Sequence, residues 1–182
     1  MSEKYRVRNE SLPHFVTFTV VRWIDLFTRN EYKEIVIESL KFCQKEKGLL
    51  IFSYCIMTNH LHLIVGTEGS NRLGNIIRGF RGFTSKKLIK AIKENPKESR
   101  KEWLLQLFFL EGQKRSSNKY FQVWKRNYHP KGLYDQNIFD QKRNYIHANP
   151  VKAGFVFKPE DFVFSSASNY AGRGGLIDVI VE

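Results

Sequence analysis

The sequence predicts an α+β protein in which helices pack on a single antiparallel sheet, and three observations support this fold class. Short segments rich in β-branched and aromatic residues alternate with longer segments whose apolar residues recur at helical spacing. Two of the strand-like segments are separated by only two residues, which is the spacing of a β-hairpin. The chain has 182 residues, 42% of them hydrophobic and 14% aromatic, which is sufficient for the core of one domain.

The first half of the chain supplies three strands and one helix. The helix is predicted over residues 30–47, where apolar side chains fall at helical spacing, and Gly48 is a residue type that commonly ends helices. Asn59 lies between the second and third strands and can adopt the left-handed conformation that a tight turn often needs. The strands are predicted from their β-branched and aromatic content at residues 14–21, 49–57 and 60–67.

The second half supplies a fourth strand, predicted over residues 120–128, and three helices. We expect Pro150 to end the last helix, because a proline disfavours helical conformation in the residue before it. The helices are predicted over residues 71–93, 98–110 and about 135–149. The order matches the ferredoxin-like, split β-α-β arrangement, with helices on one face and a C-terminal helix added. We interpret residues 1–182 as one domain with a C-terminal tail at 171–182.

The positive charge is confined to one part of the chain. The net charge is +12, from 30 Lys and Arg against 18 Asp and Glu. Residues 72–131 alone contain 16 Lys and Arg against 4 Asp and Glu, so this basic segment carries the whole excess. A charge clustered in this way favours a polyanionic partner over a general role in solubility.

Several classes of protein are excluded by the same inspection. The polar N-terminal residues do not resemble a secretory signal, and no apolar run is long enough to span a membrane. The two cysteines, Cys43 and Cys55, lack the spacing of a metal site or a disulfide scaffold. We therefore expect a soluble protein in the cytoplasm, associated with the nucleoid and not with a membrane.

Two histidines in the third strand are candidate metal ligands. Side chains alternate between the faces of a strand, so His60 and His62 project together while Leu61 and Leu63 point into the core. Adjacent imidazoles can bind a metal ion, although His-x-His sequences also occur by chance and most of them bind nothing. The spacing alone therefore leaves the metal site open.

The last helix carries a second candidate group. Tyr145 and Asn149 are four residues apart and share one helix face, with Gln141 one turn earlier. Taken alone, a phenol on an amphipathic helix is usually half-buried packing, and an asparagine before a proline can simply end a helix.

Three motifs together resemble a known family. Residues 57–65 (MTNHLHLIV) closely resemble the HUH motif (His, hydrophobic, His) of tyrosine transposases. Residues 145–154 (YIHANPVKAG) resemble the catalytic-tyrosine helix of the REP-associated branch, and residues 162–170 (FVFSSASNY) resemble the aromatic-Ser-Ser segment that often follows. The resemblance extends from residue 14 to residue 170 and keeps the order of the family's motifs. Thr58 stands where the family often has proline.

The resemblance implies a transposase that cleaves and joins single-stranded DNA during transposition and DNA recombination. By this comparison His60 and His62 hold a divalent metal, Mg²⁺ or Mn²⁺, and Asn149 matches the position of a third ligand. Tyr145 matches the nucleophile, which attacks the scissile phosphate and becomes linked to the 5′ phosphate. The resemblance also implies a DNA hairpin as the target and a homodimer as the assembly.

The basic segment fits the same interpretation, since regularly spaced cations can contact the DNA backbone, although such a stripe is often only a solvated face. The predicted DNA-binding residues are Arg78, Arg81, Lys86, Lys90, Lys93, Lys97, Arg115, Lys119, Lys125 and Arg126.

Alternative functions and residues remain open at this point. The chain could be a non-catalytic nucleic-acid-binding protein derived from a transposase, or a metal-dependent hydrolase that uses only the histidine pair. The competing nucleophiles Tyr120, Tyr128 and Tyr134 lack an Asn or Gln partner four residues later in a helix. We expect His147 on the solvated surface and His14 at the end of a strand. The role of segment 95–119 is open.

Overall fold

The computed structural model describes residues 9–114 and 121–181 and confirms the α+β class, with one four-stranded antiparallel sheet. The strand order β2-β3-β1-β4 is that of the predicted split β-α-β arrangement. The strands are β1 (His14–Thr19), β2 (Leu49–Ile56), β3 (His60–Thr67) and β4 (Lys131–Gly132).

Five helices accompany the sheet, and α1 and β3 have the predicted bounds. Gly48 ends α1 with φ at 67°, a left-handed conformation, while its N–H donates to the carbonyl of Cys43. The helices are α1 (Asn30–Lys47), α2 (Leu73–Glu94), α3 (Lys101–Gln113), α4 (Gln136–Lys152) and the single turn α5 (Ala167–Tyr170).

The prediction of a strand over residues 120–128 is wrong for the part that the structure describes. Residues 121–128 contain one isolated bridge, between Trp124 and Val20, and the fourth strand lies later, at Lys131–Gly132 opposite His14 and Phe15. The apolar side chains of the segment enter the core instead, and the buried Trp124 indole donates to Thr84 Oγ1 at 2.9 Å. Aromatic content here therefore reflects burial and not strand pairing.

Pro150 does not end the last helix, which continues to Lys152. Its ring is buried, and the chain beyond it still bonds back to the helix through Ala153 N–H to the Asn149 carbonyl at 3.0 Å. The missing proline N–H removes one helical hydrogen bond, and the helix nevertheless continues for two more residues.

The helices occupy both faces of the sheet. Helices α1 and α2 lie on the face formed by Val16, Phe18, Leu61, Leu63 and Val65, which is the larger core. Helix α4 lies on the opposite face, in a smaller cluster that contains Phe52, Ile64, Phe139 and Ile146. The side chains of β3 that point away from the larger core therefore face α4.

The C-terminal residues fold back along the outer edge of β2. Ile56 N–H donates to Phe164 O at 2.9 Å, Ser166 N–H to Tyr54 O at 3.0 Å, and Ile180 N–H to Ile51 O at 2.9 Å. These bonds cover an edge that would otherwise be open to pairing with another chain. No helix within the described residues is long and apolar enough to cross a membrane.

Candidate active site

Two imidazoles lie side by side where β3 begins. The ring centroids of His60 and His62 are 4.6 Å apart, while Leu61 between them is buried in the larger core. This is the alternation that the sequence predicted, and it turns both rings toward α4.

Hydrogen bonds hold the δ nitrogen of each ring. Thr17 is opposite His62 in the register of β1 and β3, and its Oγ1 lies 2.8 Å from His62 Nδ1. His60 Nδ1 donates to Asn59 Oδ1 at 2.7 Å, and Asn59 in turn donates to Asp25 Oδ1 at 3.0 Å. These contacts fix the ring orientations, as the outer partners of metal-binding histidines do.

Both imidazoles are held in the neutral form that can bind a metal. Burial and, to a smaller extent, the neighbouring His60 together lower the pKa of His62 to about 3. Burial also lowers the pKa of His60, while a hydrogen bond with the Asn149 side chain raises it. His62 Nε2 is buried and has no hydrogen-bond partner among the described residues. A buried polar nitrogen without a partner costs free energy unless a ligand or ion binds it.

Helix α4 places a phenol and an amide beside this pair. Asp135 caps the helix by accepting from the N–H groups of Asn137 and Ile138 at 2.7 and 3.1 Å. The Tyr145 ring is 42% exposed and its centroid lies 5.3 Å from that of His62. Asn149 Nδ2 donates to the Tyr145 carbonyl at 2.6 Å. The structure thus brings together the four residues that the motifs singled out.

Two cations that the sequence reasoning missed flank the tyrosine. The Nζ atoms of Lys142 and Lys152 lie 6.0 and 5.9 Å from the centroid of the Tyr145 ring. They precede and follow Tyr145 by three and seven residues, so helical spacing could have found them. They were missed because both lie outside the basic segment 72–131.

The exposed part of the predicted DNA-binding set lies mostly on α2, on the sheet face opposite Tyr145. Lys90 pairs with Glu94 at 3.7 Å, and Lys93 Nζ lies 4.9 Å from the centre of the Phe121 ring. The exposed members are Arg78, Lys86, Lys90, Lys93 and Lys97.

The remaining members of that set have different surroundings. Arg81 packs into the fold: its guanidinium lies 4.8 Å from the Tyr128 ring centre and donates to the Lys125 carbonyl. Arg126 Nε donates to Gln122 Oε1 at 2.9 Å. Arg115 and Lys119, like the competing nucleophile Tyr120, lie outside the described residues.

His147 is not on the solvated surface, contrary to expectation. It is 8% exposed, and its Nε2 lies 2.8 Å from Ser166 Oγ and 3.1 Å from Ser53 Oγ. The sheet and the segment that follows α4 both cover the helix at this residue, through Ser53 and Ser166. Spacing along one helix does not reveal such contacts. His14 is at the start of β1 as expected, buried and bonded to the Leu12 carbonyl at 2.8 Å.

The competing tyrosines do not share the surroundings of Tyr145. Tyr128 lies beneath the Arg81 guanidinium, and burial raises the pKa of its phenol. Tyr134 is 74% exposed in the segment just before α4.

Segment 95–119 is anchored by a buried carboxylate in its described part. Glu98 accepts from Arg29 Nε and Arg100 Nε, both at 3.0 Å, and from the Tyr32 hydroxyl at 3.2 Å. These bonds tie the turn between α2 and α3 to the start of α1. The described part of the segment therefore has a structural role.

Comparison with known proteins identifies relatives in both sequence and fold. The family described as "Transposase IS200 like" matches residues 9–112, more than half of the chain, including both site histidines. The structure of a REP-associated tyrosine transposase bound to a REP hairpin has 18% identity and a TM-score of 0.66, over 98% of this chain and 94% of that one. A candidate transposase from Deinococcus radiodurans R1 has 15% identity and a TM-score of 0.45, over 80% of this chain and 95% of that one. No curated protein gives a significant match.

Proposed function

The chain belongs to the IS200-like transposase family, and on that premise we propose that it cleaves and rejoins single-stranded DNA with Tyr145 as the nucleophile. The observation that supports this most directly is the position of the Tyr145 ring, 5.3 Å from His62 and 42% exposed. A nucleophile for a DNA phosphate must be reachable from solvent and close to groups that stabilise negative charge.

The residues present fit a divalent metal. His62 Nε2 is buried and has no hydrogen-bond partner among the described residues, while His60 Nδ1 donates to Asn59 Oδ1. With Thr17 Oγ1 accepting from His62 Nδ1, the ε nitrogen of each ring would bind the metal. The structure contains no cluster of three or more His, Cys, Asp or Glu within its described ranges. We take Asn149 as the third ligand from the family resemblance, and its side chain lies within hydrogen-bond reach of His60. We take the ion as Mg²⁺ or Mn²⁺ from the family resemblance, because both ions prefer carboxylate oxygens to this donor set. When bound, the ion neutralises charge that develops on the phosphate.

The protein groups account for the rest of the reaction. The phenol oxygen of Tyr145 loses its proton and forms a bond to phosphorus, the bond from phosphorus to the 3′ oxygen breaks, and that oxygen takes up a proton. The products are a 5′-phosphotyrosine and a free 3′ hydroxyl. A second 3′ hydroxyl can reverse the step and so join a new strand. Lys142 and Lys152 lie where their charges can hold the phosphate near the phenol.

Single-stranded DNA that carries a hairpin is the proposed substrate. The chain shares its fold with a protein solved bound to a REP hairpin. The exposed cations on α2, together with Lys125 and Arg126 after the buried Trp124, are suited to the DNA backbone. The proposed phosphate contacts are Arg78, Lys86, Lys90, Lys93, Lys97, Lys125 and Arg126, and Arg115 and Lys119 stay predictions. Arg81 is assigned to packing against Tyr128.

The proposed active site is complete within one chain. Tyr145 and Asn149 contact the histidines of their own chain, which supports a site whose four groups come from one chain. The homodimer stays a prediction that rests on the family resemblance.

A covalent adduct tests the proposal. The protein is incubated with Mn²⁺ or Mg²⁺ and a pool of single-stranded DNA hairpins with randomised flanks, then run on a denaturing gel. We expect a slower band that disappears with EDTA and with Tyr145→Phe but persists with Tyr134→Phe, the matched control. A protein that binds the pool without forming an adduct would contradict the proposal and favour the non-catalytic alternative.

A further inference from the structure

The large aromatic side chain of Trp23 lies exposed beside the candidate metal ligand His60, and the proposed cleavage reaction does not use it. Trp23 follows β1 in a single turn of 3₁₀ helix and is 57% exposed. Its ring centroid lies 6.2 Å from that of His60, with the two ring planes at 76°. An exposed indole contributes little to the core, so its role depends on what holds it in place and what lies around it.

The backbone holds this indole outward in an unfavourable conformation. Arg22 and Trp23 have φ of 54° and 57°, and within residues 9–114 and 121–181 they are the only non-glycine residues with positive φ. The turn is fixed by Val21 N–H to Val123 O at 2.8 Å and by the ion pair between Arg22 Nε and Glu111 Oε1 at 2.5 Å. Such strain persists only where the surroundings enforce it, and it is concentrated at functional sites.

A cation completes the surface. Lys125 Nζ lies 4.1 Å from the centre of the Trp23 ring. The backbone of Lys125 is held in place, because its N–H donates to Thr19 O at 2.7 Å and its carbonyl accepts from Arg81. Thr19 is opposite His60 in the sheet, so the lysine, the indole and the imidazole lie at one end of β1 and β3.

We propose that Trp23 stacks on the unpaired base next to the scissile phosphate while Lys125 contacts the adjoining backbone phosphate. This proposal rests on the proposed function. An aromatic face beside an ammonium group matches the two parts of a nucleotide, and stacking of this kind accepts any base. Trp23 is thereby assigned to binding and positioning of the strand, not to the chemical step. Its effect is to hold the strand with the scissile phosphate between the histidine pair and Tyr145.

The test measures binding without cleavage. In the Tyr145→Phe background, fluorescence anisotropy gives the Kd for a hairpin with a single-stranded flank. Trp23→Ala and Trp23→Gly should weaken binding by about 5-fold to about 100-fold, and Trp23→Phe should restore most of the affinity. The glycine variant removes the indole while it accommodates the positive φ, so a folding defect in the alanine variant alone does not obscure the result. Trp103→Ala, at an indole that is 50% exposed on α3, is the matched control and should leave Kd unchanged.

Abasic substitutions along the flank identify the stacked base. At one flank position, removing the base should raise the Kd of the wild-type protein as much as Trp23→Ala raises it on intact DNA. Combining that abasic site with Trp23→Ala should raise the Kd no further. Equal Kd values for wild type and both small variants on intact DNA would overturn the inference. The inference would also be overturned if Trp23→Ala raised the Kd by the same factor on every abasic DNA. An absent adduct with wild-type protein would instead refute the proposed function, because this binding cycle does not depend on cleavage.

Discussion

Lowering the pH from 7 to 5 should destabilise the protein through His147. This residue is 8% exposed and joins α4 to β2 and to the Ser-Ser segment through Ser53 and Ser166. Burial and, to a smaller extent, the charge of Arg143 together lower the pKa of the imidazole from 6.5 to about 4. The neutral ring is therefore the form that the folded protein accommodates.

The sign and size of the effect follow from the two pKa values. Above pH 6.5 the ring is neutral in both the folded and the unfolded chain, so it adds no pH dependence. Below that pH the unfolded chain binds the proton first, and the free energy of unfolding falls by about 1.4 kcal/mol per pH unit until the folded ring also titrates. At pH 5 the loss amounts to about 2 kcal/mol.

Urea unfolding of wild type and His147→Gln at a series of pH values isolates this contribution from those of the other buried histidines. The variant should be the less stable at pH 7, and the gap between the two proteins should shrink by about 2 kcal/mol at pH 5. Between pH 7.5 and 8.5 the gap should stay constant, which is the internal control. A gap that is the same at pH 5 and pH 7 would refute the buried, neutral histidine and with it this account of how α4 is held.

Three further predictions concern the remaining contacts. Glu98→Gln should lower the free energy of unfolding by about 3 kcal/mol, because it leaves Arg29 and Arg100 without their carboxylate. The control Glu38→Gln, in an exposed ion pair, should lower it by under about 1 kcal/mol. Equal losses in urea unfolding would contradict the role of burial. Lys142→Ala should slow adduct formation at saturating DNA about tenfold, and an unchanged rate would remove this lysine from the site. Mixing Tyr145→Phe with His62→Ala should restore no adduct, because one chain supplies both groups, and restored activity would show a site shared between chains.

Local patterns predicted the elements and side-chain faces that depend on local spacing. The bounds of α1 followed from periodicity, and those of β3 from its composition and the two-residue break before it. Alternation along β3 placed His60 and His62 on one face. The prediction failed at residues 121–128, where aromatic residues serve the core, because composition cannot separate burial from strand pairing.

Tertiary contacts determined the features that the patterns missed. Helix α4 continues past Pro150, whose ring is buried. The sheet and the Ser-Ser segment at residues 165–166 enclose His147. The conformation of Trp23 depends on contacts to Val123 and to α3, both far away in sequence.

The central claim is that Tyr145 forms the covalent bond to DNA, and the most direct test is to map that bond. The adduct formed with hairpin DNA and Mn²⁺ is digested with nuclease and protease, and the modified peptide is sequenced by mass spectrometry. We predict a nucleotide attached through its 5′ phosphate to Tyr145 and an unmodified Tyr134. A nucleotide on any other residue, or a cleaved strand with no modified peptide, would contradict it.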